Sequence, residues 1–132
     1  MSLILDTHYV YALVGAPGRL TRKETRFLES SRQRFVVSAV SIWEIRIKWN
    51  VLHPSGRRKG PLSPEVVLEL LRRRPLDFLD LKPEHAAAEL SHALGHHDPF
   101  DELLLAQAQV EGARLLTRDS ELQSHPLART IT

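Results

Sequence analysis

Four acidic side chains, far apart in the chain, stand in short motifs where they could serve a metal site. They are Asp6, Glu44, Asp101 and Asp119, with Asp98 as a secondary candidate. Mg²⁺ and Mn²⁺ prefer carboxylate and water oxygens to imidazole or thiolate ligands. Converging carboxylates repel one another without a cation, but with one or two bound metal ions they form a platform for phosphodiester hydrolysis. The acids therefore indicate a divalent-metal nuclease more than any other activity.

The alternation of strand and helix patterns predicts how these acids come together. It implies an α/β fold with a parallel sheet, because strands separated by helices are joined by right-handed crossovers. Ligands in such open sheets bind beyond the carboxyl ends of the strands, near the point where the strand order reverses. Asp6 directly follows the first predicted strand, and Asp119 lies two residues past a later one. Both should therefore lie at the same edge of the sheet.

Hydrophobic periodicity and capping signals define the predicted elements. Strands are predicted at residues 3–5, 34–38, 78–81, 114–117 and 128–132. After a helix that starts at residues 6–7, further helices are predicted at 22–32, 40–51, 64–74 and 84–94, and one from 98 to a stop at Gly112. The helix at 40–51 is apolar on much of its circumference, so we expect it to be largely buried.

Length and composition indicate one globular domain that spans residues 1–132. The chain is 42% hydrophobic and 26% charged, which does not suggest disorder. The absence of cysteine excludes disulfides and thiol chemistry and fits a cytoplasmic protein. No apolar run is long enough to span a bilayer, and no signal peptide precedes Asp6. The formal net charge is only +2, so the overall charge is weak support for binding to nucleic acid.

Each acid also has a purely structural interpretation. Asp6 could cap the helix after the first strand. Glu44 and Lys48 lie four residues apart and could form a surface ion pair worth about 0.3–0.5 kcal/mol. Asp98 precedes a proline and is a good N-cap candidate, whereas the position of Asp101 is only favourable for an acid. Asp119 could be a turn residue. The joint pattern of the four acids is therefore more informative than any one of them alone.

Four motifs extend over nearly the whole chain, from Leu3 to about Leu122. They are Leu5-Asp6-Thr7-His8, Ser41-Ile42-Trp43-Glu44-Ile45 with Lys48, His97-Asp98-Pro99-Phe100-Asp101 followed by Leu103-Leu104-Leu105-Ala106-Gln107-Ala108, and Leu116-Thr117-Arg118-Asp119. In this order and spacing the chain resembles the PIN domain family, and within it the VapC toxins of bacterial toxin–antitoxin (VapBC) pairs. Two features depart from the family pattern, namely Glu102 where a basic residue is common and the stretch from Tyr9 to Pro17.

The resemblance implies a Rossmann-like PIN domain with three α/β/α layers, in which helices flank a central parallel β-sheet. It implies a Mg²⁺- or Mn²⁺-dependent endoribonuclease that acts as the toxin of a type II system. A VapB-like cognate antitoxin and a homodimer are the implied protein partners, and RNA is the implied substrate. By motif position, Thr117 could hydrogen-bond water or an acid. The implied metal-binding and catalytic residues are Asp6, Glu44, Asp101 and Asp119, with Asp98 secondary.

Basic residues offer contacts to RNA phosphates. The candidates are Arg57, Arg58, Lys59 and Lys48, with Arg72-Arg73-Arg74 as a further basic run. Each such contact would add to the salt dependence of binding. Solvated side chains on a loop and at a helix end explain the two basic runs equally well.

Other residues and the fold class leave three alternatives to the nuclease to consider. His92 and His96 could form half of a zinc site, but no cysteine and no Glu-containing zinc motif accompanies them. A phosphoacceptor receiver domain would need a second acid beside Asp6 and a lysine after the last core strand, and both are missing. A non-catalytic PIN-fold module that binds RNA or an antitoxin stays open, and metal-dependent RNA cleavage would separate it from an enzyme.

Overall fold

Five parallel strands form the sheet in a computed structural model that describes residues 2–15, 20–30, 32–52, 54–57, 60–95 and 98–131. The strands are β1 (Ser2–Leu5), β2 (Arg34–Ser38), β3 (Asp77–Leu79), β4 (Arg114–Leu116) and β5 (Ala128–Arg129). Their order across the sheet is β3-β2-β1-β4-β5, and every neighbouring pair is parallel. All five predicted strands are therefore present, within a few residues of the predicted bounds.

The strand order reverses between β1 and β4. The chain builds outward from β1 to β2 and β3, and then returns to the other side of β1 to add β4 and β5. At this junction Leu5 pairs with Leu116, and the Asp6 backbone N–H donates to the Leu116 carbonyl at 3.0 Å. The residues that follow β1 and β4 therefore leave the sheet side by side, at the place where open parallel sheets bind ligands.

Six helices occupy the connections of the described chain. They are α1 (Thr7–Leu13), α2 (Arg22–Ser30), α3 (Ala39–Asn50), α4 (Pro64–Arg72), α5 (Pro83–Ala87) and α6 (Pro99–Glu111). The side chains of Asp6, Ser38, Ser63 and Asp98 accept backbone N–H groups at the starts of α1, α3, α4 and α6. Within the ranges given above, no helix has the length and apolar character needed to cross a membrane.

Alternate side chains of the central strand face two separate cores. Leu3 and Leu5 pack in one cluster with apolar side chains of α1, α3 and α4. Ile4 packs in a second cluster with Leu104 and Leu105 of α6. Burial on both faces is what a parallel sheet with helical crossovers requires. The predicted three-layer α/β/α fold is confirmed.

A buried polar contact ties α6 to the start of α3. The Ser38 hydroxyl accepts the Val40 N–H at the α3 N-terminus and donates to Gln107 of α6. The Gln107 amide also donates to the carbonyl of Asp80, just beyond β3. Ser38 and Gln107 are fully buried, so these hydrogen bonds fix the two helices that carry Glu44 and the acids of α6.

The helix predicted at residues 84–94 is much shorter in the structure and ends at Ala87. Ala88 is extended, with φ −70° and ψ 132°. The Gln109 side chain on α6 then accepts from the Ser91 N–H at 2.9 Å and donates to the Glu89 carbonyl at 2.8 Å. These hydrogen bonds pair backbone groups that a helix would otherwise have paired. Tertiary contacts therefore override the local helix propensity of this segment.

The expectation that the helix at 40–51 is largely buried was wrong. Trp43 is 52% exposed and Ile47 is 37% exposed, although Glu44 and Ile45 are buried. Only one side of α3 packs onto the sheet and its neighbouring helices, so apolar side chains on the other side face solvent. Apolar composition alone does not predict burial, since much of a protein surface is apolar.

The left-handed residue at the end of α6 provides a test of the fold. Gly112 has φ +65° and ψ 33°, and the structure leaves space around its Cα. We expect Gly112→Ala to lower the free energy of unfolding by about 1 kcal/mol, because a Cβ is disfavoured in this conformation. Gly95 also has open space but no positive φ, so Gly95→Ala is the matched control. Urea unfolding curves that show equal stability for both variants would contradict this account.

Candidate active site

A polar cleft of about 360 Å³ opens beyond the carboxyl ends of β1 and β4. All four acids predicted from the motifs line it, together with the secondary candidate Asp98. Lys48, His8 and Arg118 also line the cleft. The fold therefore brings together side chains that are up to 113 positions apart in the chain, from Asp6 to Asp119.

Asp6 caps α1 and lies at the bottom of this arrangement, only 8% exposed. Its Oδ2 accepts the Thr117 hydroxyl at 2.6 Å, and its Oδ1 accepts the Tyr9 N–H at 3.4 Å. Burial raises the pKa of Asp6 to about 6, and the negative charge of Glu44 adds to the rise. The hydrogen bonds from Thr117 and from the backbone oppose this shift without cancelling it. Asp6 thus holds a proton over a pH range where most aspartates are ionised.

Glu44 enters the cleft from α3, and each of its carboxylate oxygens has a partner. Oε1 accepts the Thr7 hydroxyl at 2.6 Å, and Oε2 accepts the Lys48 ammonium at 2.5 Å. The Glu44 side chain is 8% exposed, whereas that of Lys48 is 51% exposed. Burial lowers the pKa of Lys48, but the hydrogen bond and charge of Glu44 outweigh it and raise that pKa overall. The pair is therefore part of the cleft wall and not an ion pair on an open surface.

The acids of α6 and of the last motif are held by backbone contacts. Asp98 Oδ1 accepts the Phe100 N–H at 2.9 Å and the Asp101 N–H at 3.2 Å, as an N-cap does. Asp119 Oδ1 accepts the Glu121 N–H at 2.9 Å, as a turn residue does. The structural interpretations thus describe real hydrogen bonds, yet the same side chains line the cleft.

A hydrogen-bond network that was not predicted from the sequence places a second cation, Arg118, in the cleft wall. Arg118 Nη2 donates to Glu24 Oε1 at 2.6 Å, and Arg118 Nη1 donates to His8 Nε2 at 3.0 Å. Tyr9 donates its hydroxyl to Glu24 Oε2 at 2.5 Å. Glu24 is only 4% exposed. Glu24 also forms a capping box with Thr21, since Glu24 Oε1 accepts the Thr21 N–H at 2.9 Å and the Thr21 hydroxyl accepts the Glu24 N–H at 3.1 Å.

One signal for this network was available in the sequence. Arg118 stands between Thr117 and Asp119 in the last motif, so it had to emerge at the same sheet edge. Thr7, which orients Glu44, likewise follows Asp6 directly. The burial of Glu24 had no such signal, because a capping-box glutamate is usually exposed on a helix surface.

The remaining basic and histidine candidates do not join the cleft in the part of the chain that is described. Arg57 is exposed on a loop and does not line the cleft. Arg58, Lys59, His96 and His97 lie outside the described residues. His125 is engaged through Nε2 with the His92 carbonyl at 2.9 Å.

The chemistry of the cleft fits a hard cation, although a finished ligand cage is not present. Five carboxylates are the oxygen donors that Mg²⁺ and Mn²⁺ prefer. Across the described ranges, however, no three or more Asp, Glu or His side chains are grouped so that they could hold a metal ion. Mg²⁺ commonly keeps several waters and uses one or two protein carboxylates, so a full cage is not required. Lys48 currently occupies one oxygen of Glu44.

The raised pKa of Asp6 leads to a test by protein stability alone. The folded state holds the Asp6 proton up to about pH 6, whereas the unfolded chain releases it near 3.8. Stability should therefore fall as the pH rises through this window, by roughly 2–3 kcal/mol. Asp6→Asn removes the ionisation, and its single amide oxygen can accept the Tyr9 N–H while its amide N–H group donates to the Thr117 hydroxyl. In EDTA, we expect this variant to gain stability over the wild type at pH 7.5 but not at pH 4, as measured by urea unfolding. An equal difference at both pH values would contradict the assignment.

Comparisons with known proteins agree with this architecture. No curated protein matches the sequence. Among solved structures, the chain is similar to one in the crystal structure of VapBC2 from Rickettsia felis bound to a DNA fragment from the promoter. The TM-score is 0.64 and the identity 18%, and the similarity covers 98% of each chain.

Two further structures are similar to the same degree. A chain of a toxin–antitoxin complex from Klebsiella pneumoniae has a TM-score of 0.63 at 16% identity, with 99% of this chain and 98% of that chain covered. A chain of DNA-bound VapBC from Salmonella typhimurium has a TM-score of 0.61 at 19% identity, with 98% and 96% covered. At these identities the likeness establishes the fold. The sequence itself matches the family model of the PIN domain over residues 3–126. The resemblance inferred from the motifs is confirmed, and the chain belongs to the PIN domain family.

Proposed function

We propose that this chain is a metal-dependent endoribonuclease and serves as the toxin of a type II toxin–antitoxin pair. The observation that carries the proposal is the cleft at the strand-order reversal, where five carboxylates and two cationic side chains meet. Membership of the PIN domain family supports a nuclease. The similar chains come from structures described as toxin–antitoxin or VapBC complexes, which supports the toxin assignment.

In this proposal four of the acids hold the cation. They are Asp6, Glu44, Asp101 and Asp119, with Asp98 as a secondary candidate, and the cation is Mg²⁺ or Mn²⁺. A bound divalent ion would supply a hydroxide nucleophile at neutral pH and offset negative charge on the leaving oxygen. The donor chemistry of the cleft supports this assignment, whereas the number of ions is left open.

The chain's own side chains orient the acids for that task. Thr117 donates to Asp6, and Thr7 donates to Glu44, so each carboxylate has one oxygen fixed by a hydroxyl. Asp6 must lose its proton before it can ligate a cation, and its raised pKa makes this step pH-dependent. Lys48 balances the charge of Glu44 in the protein alone and is free to turn to a substrate phosphate when a cation takes its place.

The proposed partners follow from the same assignment. RNA is the substrate, a VapB-like antitoxin is the cognate inhibitor, and the chain acts as a homodimer in the cytoplasm. Arg57, Arg58, Lys59 and Lys48 remain candidates for RNA phosphates, and the chain is one PIN domain over residues 1–132. Exposed apolar side chains at Trp43, Phe78 and Leu81 support the presence of a protein partner.

A second candidate function has one observation in its favour. The described acids do not form a ready three-ligand group, and Glu44 is neutralised by Lys48. A PIN-fold module that binds RNA or an antitoxin without cleaving RNA would look like this. The experiment below separates the two candidates.

Cleavage by matched variants tests the nuclease directly. We expect wild-type protein to cut a mixed RNA in Mg²⁺ or Mn²⁺ but not in EDTA, and to spare single-stranded DNA of the same sequence. Asp6→Asn and Asp101→Asn should each reduce the rate at least about a hundredfold, because even residues behind metal ligands contribute about 10–100-fold. Asp77→Asn is the control, since Asp77 is an exposed acid paired with Arg34 away from the cleft.

The same proteins allow a binding readout that does not depend on turnover. Mn²⁺ should raise the melting temperature of the wild type and of Asp77→Asn but not that of Asp101→Asn, because a ligand stabilises only the state that binds it. Full RNA cleavage by a folded Asp101→Asn protein would overturn the assignment of the site. RNA binding by the wild type with neither cleavage nor a Mn²⁺ response would favour the non-catalytic module.

A further inference from the structure

Among the described residues, the cleft is lined by two cationic side chains, those of Lys48 and Arg118. The proposed chemistry gives a role to Lys48 but none to Arg118. Arg118 follows Thr117 at the end of β4 and precedes Asp119, so its backbone is fixed by the same strand that brings those residues to the cleft. Its side chain is 37% exposed. It is thus neither a buried structural residue nor a freely solvated one.

The guanidinium of Arg118 is held in place from behind. Glu24 on α2 accepts Arg118 Nη2 at 2.6 Å, and the Glu24 side chain is 5% exposed. The Tyr9 hydroxyl and the Thr21 N–H donate to the same carboxylate, so Glu24 itself cannot swing freely. Burial would raise the pKa of Glu24, but these donors and Arg118 lower it below its usual range. The anchor is therefore an ionised carboxylate at neutral pH.

Neutralisation of Glu24 alone does not account for this geometry. Tyr9 and Thr21 donate to the Glu24 carboxylate and Arg118 balances its charge through Nη2, yet the guanidinium also extends to His8 and lines the cleft. A guanidinium carries five N–H donors, and Arg118 makes two hydrogen bonds within the described ranges, to Glu24 and to His8. The arrangement leaves donor capacity on a planar, oriented cation at the edge of an acidic site.

We infer that Arg118 binds a backbone phosphate of the RNA strand in the cleft, and that Glu24 is the positioning residue that holds it there. The inference rests on the proposed function. An acidic cleft repels a polyanion, so substrate approach needs fixed positive charge at its rim. Arginine suits this role because its planar fork pairs with two phosphate oxygens and it stays charged at any physiological pH.

The chain offers a matched control for the loss of this arginine. Arg34 also pairs with a carboxylate, that of Asp77, but the pair is exposed, lies at the start of β2 and does not line the cleft. Arg118→Gln and Arg34→Gln therefore remove the same net charge and the same kind of ion pair. Any difference in RNA affinity between the two variants is therefore due to the position of Arg118 and not to the total charge of the protein.

The test measures the affinity of a fluorescent single-stranded RNA in EDTA at several salt concentrations, so that cleavage does not interfere. We expect Arg118→Gln to weaken binding about tenfold and to reduce the salt slope by about 0.7, the loss of one phosphate contact on a single strand. Arg118→Lys should restore the slope but only part of the affinity, because lysine lacks the fork. Arg34→Gln should stay within about twofold of the wild type and keep its slope.

Glu24→Gln separates positioning from simple electrostatics. Removal of a negative charge near the cleft would by itself strengthen RNA binding, whereas release of the Arg118 anchor would weaken it. We therefore expect weaker binding in Glu24→Gln, with a folded protein by circular dichroism. Equal or tighter binding in this folded variant would overturn the role of Glu24.

The possible results distinguish a failure of the inference about Arg118 from a failure of the proposed function. Arg118→Gln with the affinity and salt slope of Arg34→Gln would overturn the inference, while RNA cleavage by the wild type leaves the nuclease standing. A wild-type protein that neither binds nor cleaves RNA would overturn both. A tenfold loss confined to Arg118→Gln, with partial rescue by lysine, would support the inference.

Discussion

The junction of β1 with β4 is the contact on which the rest of the arrangement depends. Leu5 and Leu116 pair across it, and the Asp6 N–H extends the ladder by one hydrogen bond to the Leu116 carbonyl. Because the strands are parallel, the residues after each strand leave at the same edge. Asp6 and Thr117 are therefore neighbours by backbone geometry, before any side chain is chosen. The helices α3 and α6 then add Glu44 and the acids of α6 to that edge.

Charge in and behind the cleft is balanced locally, in a different way for Asp6, Glu44 and Glu24. Asp6 accepts a threonine hydroxyl and carries a proton below about pH 6, and Glu44 is balanced by Lys48. Glu24, just behind, is balanced by Arg118. Asp6 and Asp98 in addition cap the starts of α1 and α6, where backbone N–H groups carry partial positive charge. These compensations explain how several acids can share one small volume in a stable fold.

The fold and the acids that line the cleft were predictable from the sequence. The hydrogen bonds around those acids were not. Strand runs are local signals, and they led to Asp6 and Asp119 at one edge. Their motifs and the family resemblance, not the strand pattern, assigned Glu44, Asp98 and Asp101 to the same site. The short α5 was missed because Gln109, more than twenty positions beyond Ala87, decides where that helix ends. The exposure of Trp43 and the burial of Glu24 were missed for the same reason. The exposure of Trp43 and the burial of Glu24 depend on which helices and strands pack nearby, and the pattern of one sequence does not show this.

The order of strands also has a consequence for how the protein is made. The hydrogen bond between Thr117 and Asp6 spans 111 positions, and β1 stays an open edge on that side until β4 pairs with it. Contacts of such long range form late, after the local helices and the β1–β2 unit. A nascent chain still on the ribosome lacks Thr117, Arg118 and Asp119 until the segment that forms β4 has been passed. The cleft is thus assembled only after β4 has been synthesised, so a product truncated before β4 carries the N-terminal acids without the surroundings that hold them.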